Sequence, residues 1–260
     1  MKKTIVLALC LIFSQNARPK GIIQISIPKC GTYLLKKCID LLGVLPNMRF
    51  NAVGASIKPA LFGRGMQKLY GHIRFKEEYL PFLTGNTAIF LIYRDPRDQV
   101  VSGAYHILKH SYNHLHVFAH SISFDDLLSF LIEGGQGWHN TTREAIHREN
   151  VSDYYQLFLP WLSAPHVCGV RFEDLIGLHG GGDAGRQYET IKNIADHVGM
   201  NVSQGRIDLV VKNLFGGTET FRKGLIGDWK NHFKEHHKQA FKKVAGQLLI
   251  DLGYEKDFDW

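Results

Sequence analysis

Cysteine is scarce: four residues in 260, Cys10, Cys30, Cys38 and Cys168, lie far apart with no CxxC pair. That spacing excludes a disulfide scaffold and argues against a structural zinc site. With 26 glycines and eight prolines, the chain is not collagenous. No repeat or long low-complexity segment occurs, and GxxxxGK[ST] is absent, which removes a Walker A loop. The one marked apolar run, Thr4–Phe13, falls well short of the ~20 residues that cross a bilayer. What is present is ordinary globular composition: 45% hydrophobic and 21% charged residues, which excludes intrinsic disorder. The length suits one α/β domain with a full core. Acidic residues are outnumbered, 24 against 31 Lys+Arg, and the formal charge of +7 suits an anionic ligand.

Lys2 and Lys3 precede the apolar run, and Ala17 stands before Arg18-Pro19. A basic head, a short apolar segment and a small residue form a signal-peptide pattern over residues 1–17. The alternative is a buried first strand or helix. On the first reading the mature domain spans 18–260 and is exported or secretory-lumenal; on the second it is cytoplasmic. Asn140-Thr141-Thr142, Asn150-Val151-Ser152 and Asn201-Val202-Ser203 are sequons that chance alone can supply.

Gly21–Ile27 and Thr87–Tyr93 read as buried strands, and His166–Phe172 as a third strand-like run. Leu34, Leu35, Cys38, Ile39 and Leu42 recur at helical spacing, and Gly43 stops that helix. Asp95 caps and Pro96 opens a helix through Leu108. Further helices are predicted over Phe124–Ile132, Thr142–Leu162, Arg186–Val198, Ser203–Leu214 and His236–Leu252, with loops over Asn51–Gly65 and Gly177–Gly185. Strands alternating with helices predict a parallel sheet covered on both faces.

In such a sheet, ligands bind beyond the carboxyl ends of the strands. Three segments carry residues suited to phosphate. Pro28-Lys29-Cys30-Gly31-Thr32-Tyr33 is a strand–loop–helix junction that can wrap an anion in backbone N–H groups. Arg94-Asp95-Pro96-Arg97-Asp98 leads to Ser102, and read alone is a capped helix start with local ion pairs. Phe221-Arg222-Lys223-Gly224 runs on to Gly227-Asp228-Trp229-Lys230, and read alone is a glycine-rich turn.

Together, PKCGTYL, RDPRDQVVS and RKGLIGDWKNHF resemble, in order, the three signature elements of the cytosolic-type sulfotransferase family. The resemblance spans about Gly21 to Phe233. It implies a P-loop-like three-layer α/β fold with a central parallel sheet, and 3′-phosphoadenosine 5′-phosphosulfate as sulfuryl donor without a metal. It implies that Lys29, Cys30, Gly31, Thr32 and Tyr33 hold the 5′-phosphosulfate end. Arg94, Ser102, Arg222, Lys223 and Gly224 then grip the 3′-phosphate, and Phe172 stands where a family tyrosine lines the nucleotide site. His72 is the implied general base, and Lys29 stabilises the departing oxygen. The acceptor is a small molecule or glycan bearing a hydroxyl or amine; neither a nucleic-acid partner nor a membrane span is implied. The chain also departs from the family: Leu34 replaces a tryptophan, Tyr70 a lysine, and Leu209-Val210-Val211 a Thr-Ser-Phe stretch.

Other readings concern particular residues. His106, His110 and His114 repeat at i, i+4 and can share a helix face, as a metal site or as a solvated or pocket-lining row. Cys30 at a helix N-terminus beside Lys29 fits a stabilised thiolate, or a plain replacement of serine in a phosphate loop. Function classes that remain besides sulfuryl transfer are another nucleotide-dependent phosphoryl-transfer enzyme and a non-catalytic nucleotide binder.

Overall fold

The computed structural model describes residues 19–260, Met66 and Arg143 excepted. The signal-peptide reading of residues 1–17 lies outside the described residues. Along the chain run β1 (Gly21–Ser26), α1 (Thr32–Leu42), β2 (Asn51–Val53), β3 (Lys68–Gly71), β4 (Thr87–Tyr93), α2 (Pro96–Lys109), α3 (His116–His120) and α4 (Phe124–Glu133). Then follow β5 (Gly135–Trp138), β6 (Ala145–Arg148), α5 (Val151–Gln156), β7 (Val167–Arg171), α6 (Phe172–Ile176), α7 (Ala184–His197), α8 (Gln204–Leu214) and α9 (Glu235–Asp251). The described residues fall into two compact units, one of 95–156 and 227–260, the other of 19–94 and 157–226.

The second unit holds a five-stranded, all-parallel sheet in the order β2-β3-β1-β4-β7. β1 is buried along its whole length and β4 along all but Tyr93, as parallel strands covered on both faces require. Ile22, Phe90, Ile92, Cys168 and Val170 point to one face. They pack with Leu35, Cys38 and Ile39 of α1, Ile191 and Ile194 of α7, and Ile207, Val210 and Leu214 of α8. Those helical residues recur at three- and four-residue intervals, so each helix turns one apolar stripe to the sheet. The parallel α/β fold expected from the sequence is the fold observed.

The segment after β3 is fixed by its backbone. Arg74 N donates to Ala55 O at 3.0 Å and Phe75 N to Leu157 O at 2.8 Å. Buried Trp161 donates its indole N–H to Ile73 O at 3.0 Å and stacks on Tyr79, ring centroids 5.7 Å apart.

In the first unit, Arg97 is buried and held at both ends. It pairs with Asp95 at 2.8 Å and Glu255 at 2.5 Å, and its guanidinium lies 4.2 Å from the Trp229 ring and 4.5 Å from that of Trp260. Asp98, also buried, accepts from Gly227 N at 2.8 Å and Trp229 N at 2.9 Å. These bonds satisfy the carboxylate and tie the start of α2 to the Gly-Asp-Trp turn.

Two sequence expectations are corrected here. The predicted helix over Thr142–Leu162 is instead β6, α5 and a 3-10 turn at Leu159–Ser163. β6 pairs antiparallel with β5, and Gly134 presses on the Arg148–Asn150 backbone, where a Cβ would come within 2.7 Å of Arg148 O. Asn150 then caps the next turn by accepting from Asp153 N at 2.9 Å. Tertiary pairing and a cap inside the apolar periodicity override it. The predicted loop Asn51–Gly65 contains β2 and a 3-10 turn at Pro59–Phe62. Three residues are too few to show a period.

Candidate active site

β1 ends in a sharp turn. Cys30 N donates to Ile27 O at 3.1 Å, and Lys29 adopts φ 69°, a left-handed conformation that costs an L-residue ~1–2 kcal/mol. Gly31 follows at φ 102° and caps α1. The N-cap residue of α1, Gly31, offers no side chain to bond the N–H groups of the first turn, and no acidic residue lies in that turn. This is the form in which a helix N-terminus receives an anion.

Polar residues on otherwise apolar β1 support this turn. Gln24 Nε2 donates to Thr32 O at 2.6 Å, and Ser26 Oγ lies 2.8 Å from Thr32 Oγ1. Ser26 also reaches His72, the residue after β3. His72 Nδ1 is 2.8 Å from Ser26 O and 3.2 Å from Ser26 Oγ. A carbonyl only accepts, so Nδ1 carries the proton and Nε2 of the neutral ring keeps its lone pair. Partial burial of the ring lowers its pKa; the bond to Ser26 O opposes this, and the Lys29 charge adds to the lowering.

Phe172, first residue of α6, wedges between two of the phosphate segments. A Cβ on Gly31 would meet its ring at 2.8 Å, and the Arg94 guanidinium lies 4.3 Å from the ring centroid. Buried Arg94 follows β4 directly and donates from Nη2 to Leu225 O at 2.5 Å. The loop before Leu225 contains half-buried Arg222, exposed Lys223 and Gly224 at φ 66°. Gly31, Phe172, Arg94 and Leu225 thus form one chain of contacts linking the three segments. Lys37 Nζ on α1 holds the same loop by donating to Gly216 O at 2.9 Å. The Tyr33 phenol bonds to Glu219 and Tyr70; burial is the main force raising its pKa, and these bonds add to it.

No family model matches the chain. Zebrafish (Danio rerio) sulfotransferase 6B1 is 26% identical across 91% of this chain and 84% of its own length. Human sulfotransferase 2A1 is 19% identical across 94% and 88%. The crystal structure of mouse sulfotransferase SULT7A1 complexed with PAP covers 92% of this chain and 88% of its own, with a TM-score of 0.63 at 15% identity. Over nine-tenths of its length the chain is similar to cytosolic sulfotransferases, and it shares their fold. Retinol dehydratase, solved with androsterone and inactive cofactor PAP, shares the fold with a TM-score of 0.61 at 14% identity.

Several residues of this chain take places that the sequence did not reveal. Phe172 lies beneath Arg94 as a buried support. Leu34, where the family has tryptophan, belongs to the core, as does Val210, while Leu209 faces solvent. Tyr70 lies 6.1 Å from Tyr33, and Lys36 Nζ stands 4.9 Å over its ring. Ser102 is in the second turn of α2, in the other unit. The histidine series breaks because α2 ends at Lys109. His106 lies 4.5 Å from His110, whereas His114 faces His139 at 6.4 Å. Among the described residues no three metal ligands converge, and no helix is long and apolar enough to cross a membrane. Gln24, Ser26 and Glu219 escaped the sequence reading. The first two were detectable as polar residues at alternate positions of an apolar strand, GIIQISI.

Proposed function

We propose that this protein moves a sulfuryl group from 3′-phosphoadenosine 5′-phosphosulfate to an acceptor hydroxyl or amine, with His72 as general base and Lys29 beside the leaving oxygen. The observation that carries this reading is the contact of His72 with the strand leading into the N-terminus of α1. The residues fit such a donor: backbone N–H groups and a lysine suit the phosphosulfate end, and guanidinium forks suit a phosphate. When bound, the donor supplies the sulfuryl group and a phosphate leaving group.

The chain's own residues do the rest. His72 Nε2 accepts the acceptor's proton as the new S–O or S–N bond forms. Lys29 and the α1 N–H groups stabilise charge on the phosphate oxygen as its bond to sulfur breaks. Thr32, Cys30 and Tyr33 line the loop. Arg94, Arg222, Lys223 and Gly224 face the 3′-phosphate. Retinol dehydratase was solved with androsterone, and a small-molecule acceptor is proposed here by analogy.

Arg94→Ala and Arg222→Ala should each weaken binding of the 3′-phosphorylated product by ~1.5–3 kcal/mol, as charge-assisted hydrogen bonds are lost. Adenosine 5′-phosphosulfate, which lacks the 3′-phosphate, should lose much less. Calorimetric titration compares the two, and equal losses would remove these arginines from 3′-phosphate recognition. Export is proposed on the pattern of residues 1–17. N-terminal sequencing from the native host should then find a chain beginning near Arg18, and an intact Met1 or Lys2 in a cytosolic fraction would refute it.

A further inference from the structure

His72, Ser26 and Thr32 form a continuous hydrogen-bonded row on the carboxyl side of the sheet. The distances are 2.8 Å from Nδ1 to Ser26 O, 3.2 Å from Nδ1 to Ser26 Oγ, and 2.8 Å from Ser26 Oγ to Thr32 Oγ1. Ser26 is fully buried and Thr32 nearly so. Each hydroxyl has one proton to give. Nδ1 holds its own proton, so it cannot accept from Ser26, and the Ser26 proton is free to go to Thr32 Oγ1, 2.8 Å away; in that arrangement the row is continuous. Thr32 cannot return it, and its proton is left to point away from Ser26. Thr32 is the first residue of α1, within the anion-receiving turn. The donors therefore run one way, from the imidazole through Ser26 to Thr32 and out to an anion in the loop.

We propose that Ser26 is a positioning residue that couples occupancy of the phosphate loop to the state of the His72 ring. A negative charge accepting from Thr32 polarises the row and favours the imidazolium that forms when His72 takes the acceptor proton. The base is thus strengthened when the donor is in place. Around the ring, β1 contributes Ser26 and the loop after it Lys29. Lys29 is the charge that acts on the ring, and it opposes protonation. The bound anion offsets Lys29 through space, whereas the hydroxyl row acts only through its bonds. Removing one oxygen separates the two.

The inference rests on His72 as the base, and the test keeps the two claims apart. Magnetic resonance of isotope-labelled histidine gives the His72 pKa and tautomer with and without 3′-phosphoadenosine 5′-phosphate. In the wild type the nucleotide should raise the pKa. In Ser26→Ala, which keeps the carbonyl, the rise should fall by at least half, with nucleotide affinity little changed. Thr32→Val should reduce the rise in the same way. Turnover of Ser26→Ala should fall about tenfold, the order seen when a positioning partner is lost, with a smaller change in donor KM. A rise equal to wild type in both variants would overturn the proposal. If His72→Asn keeps its turnover while Ser26→Ala still blunts the rise, the base assignment fails and the coupling stands.

Discussion

His72→Asn should lower turnover by ~10²–10⁴-fold and leave donor affinity nearly unchanged. The asparagine amide can still donate to Ser26 O, so the turn keeps its support, but its outer end offers no basic nitrogen. An acceptor hydroxyl attacks poorly while it holds its proton, and the neutral Nε2 of His72 is the group proposed to take it. The pH profile gives a second reading. Because burial lowers the His72 pKa in the free protein, kcat/KM for the donor should rise with pH along a limb lying below the usual histidine value of about 6.5. Above that limb the ring is neutral and the rate level. His72→Asn should lose the limb altogether. Single-turnover kinetics on protein whose folding is checked by thermal melting decides the matter. Near-wild-type transfer by a folded variant would remove His72 from the mechanism.

Gly31→Ala should destabilise the fold by roughly 2–5 kcal/mol and abolish measurable donor binding at ordinary concentrations. Two penalties combine. At φ 102° an L-residue is strained whatever space surrounds it, and the new Cβ would lie 2.8 Å from Phe172 Cδ2 and 3.1 Å from Ile92 Cδ1. Neither neighbour can easily give way, because Phe172 is buried beneath Arg94 and Ile92 lies inside the sheet. Denaturant melts of Gly31→Ala, Phe172→Leu and the double variant separate the two terms. The double variant should recover the clash portion only and should still bind donor poorly. A Gly31→Ala chain with wild-type stability and affinity would show that the turn is not held in this conformation.

Much of the fold was legible because its signals are local and redundant. Thr87–Tyr93 is a β-branched and aromatic run ending in Arg-Asp-Pro, so strand, cap and helix start announce one another, and the boundaries match. Gly43 stops α1 as expected, in a left-handed cap. The misreading at Thr142–Leu162 has the opposite character. Ala145–Arg148 is a strand only because Gly135–Trp138 lies beside it. The site divides in the same way. The sequence exposes residue types suited to phosphate, so Lys29, Gly31 and Arg94 were visible. It does not expose which of two neighbouring arginines serves the core. Arg94 faces the third loop, while Arg97, three residues on, is sandwiched between Trp229 and Trp260. Nor does it show Ser26 beneath His72, since that pairing arises only when β1 and β3 lie side by side.

The all-parallel sheet also bears on how the chain reaches this state. No strand of it can pair with its sequence neighbour through a tight hairpin, since every partner must return by a crossover. Ile23 waits for Ile89, and Ile89 waits for Val167. Loop-closure entropy therefore precedes nearly every rewarding contact, which is the topology of a slow folder. During synthesis, β4 emerges well before β7 exists to cover its far edge. Until then that edge is open to pairing with other chains, the hazard that any uncovered strand edge carries.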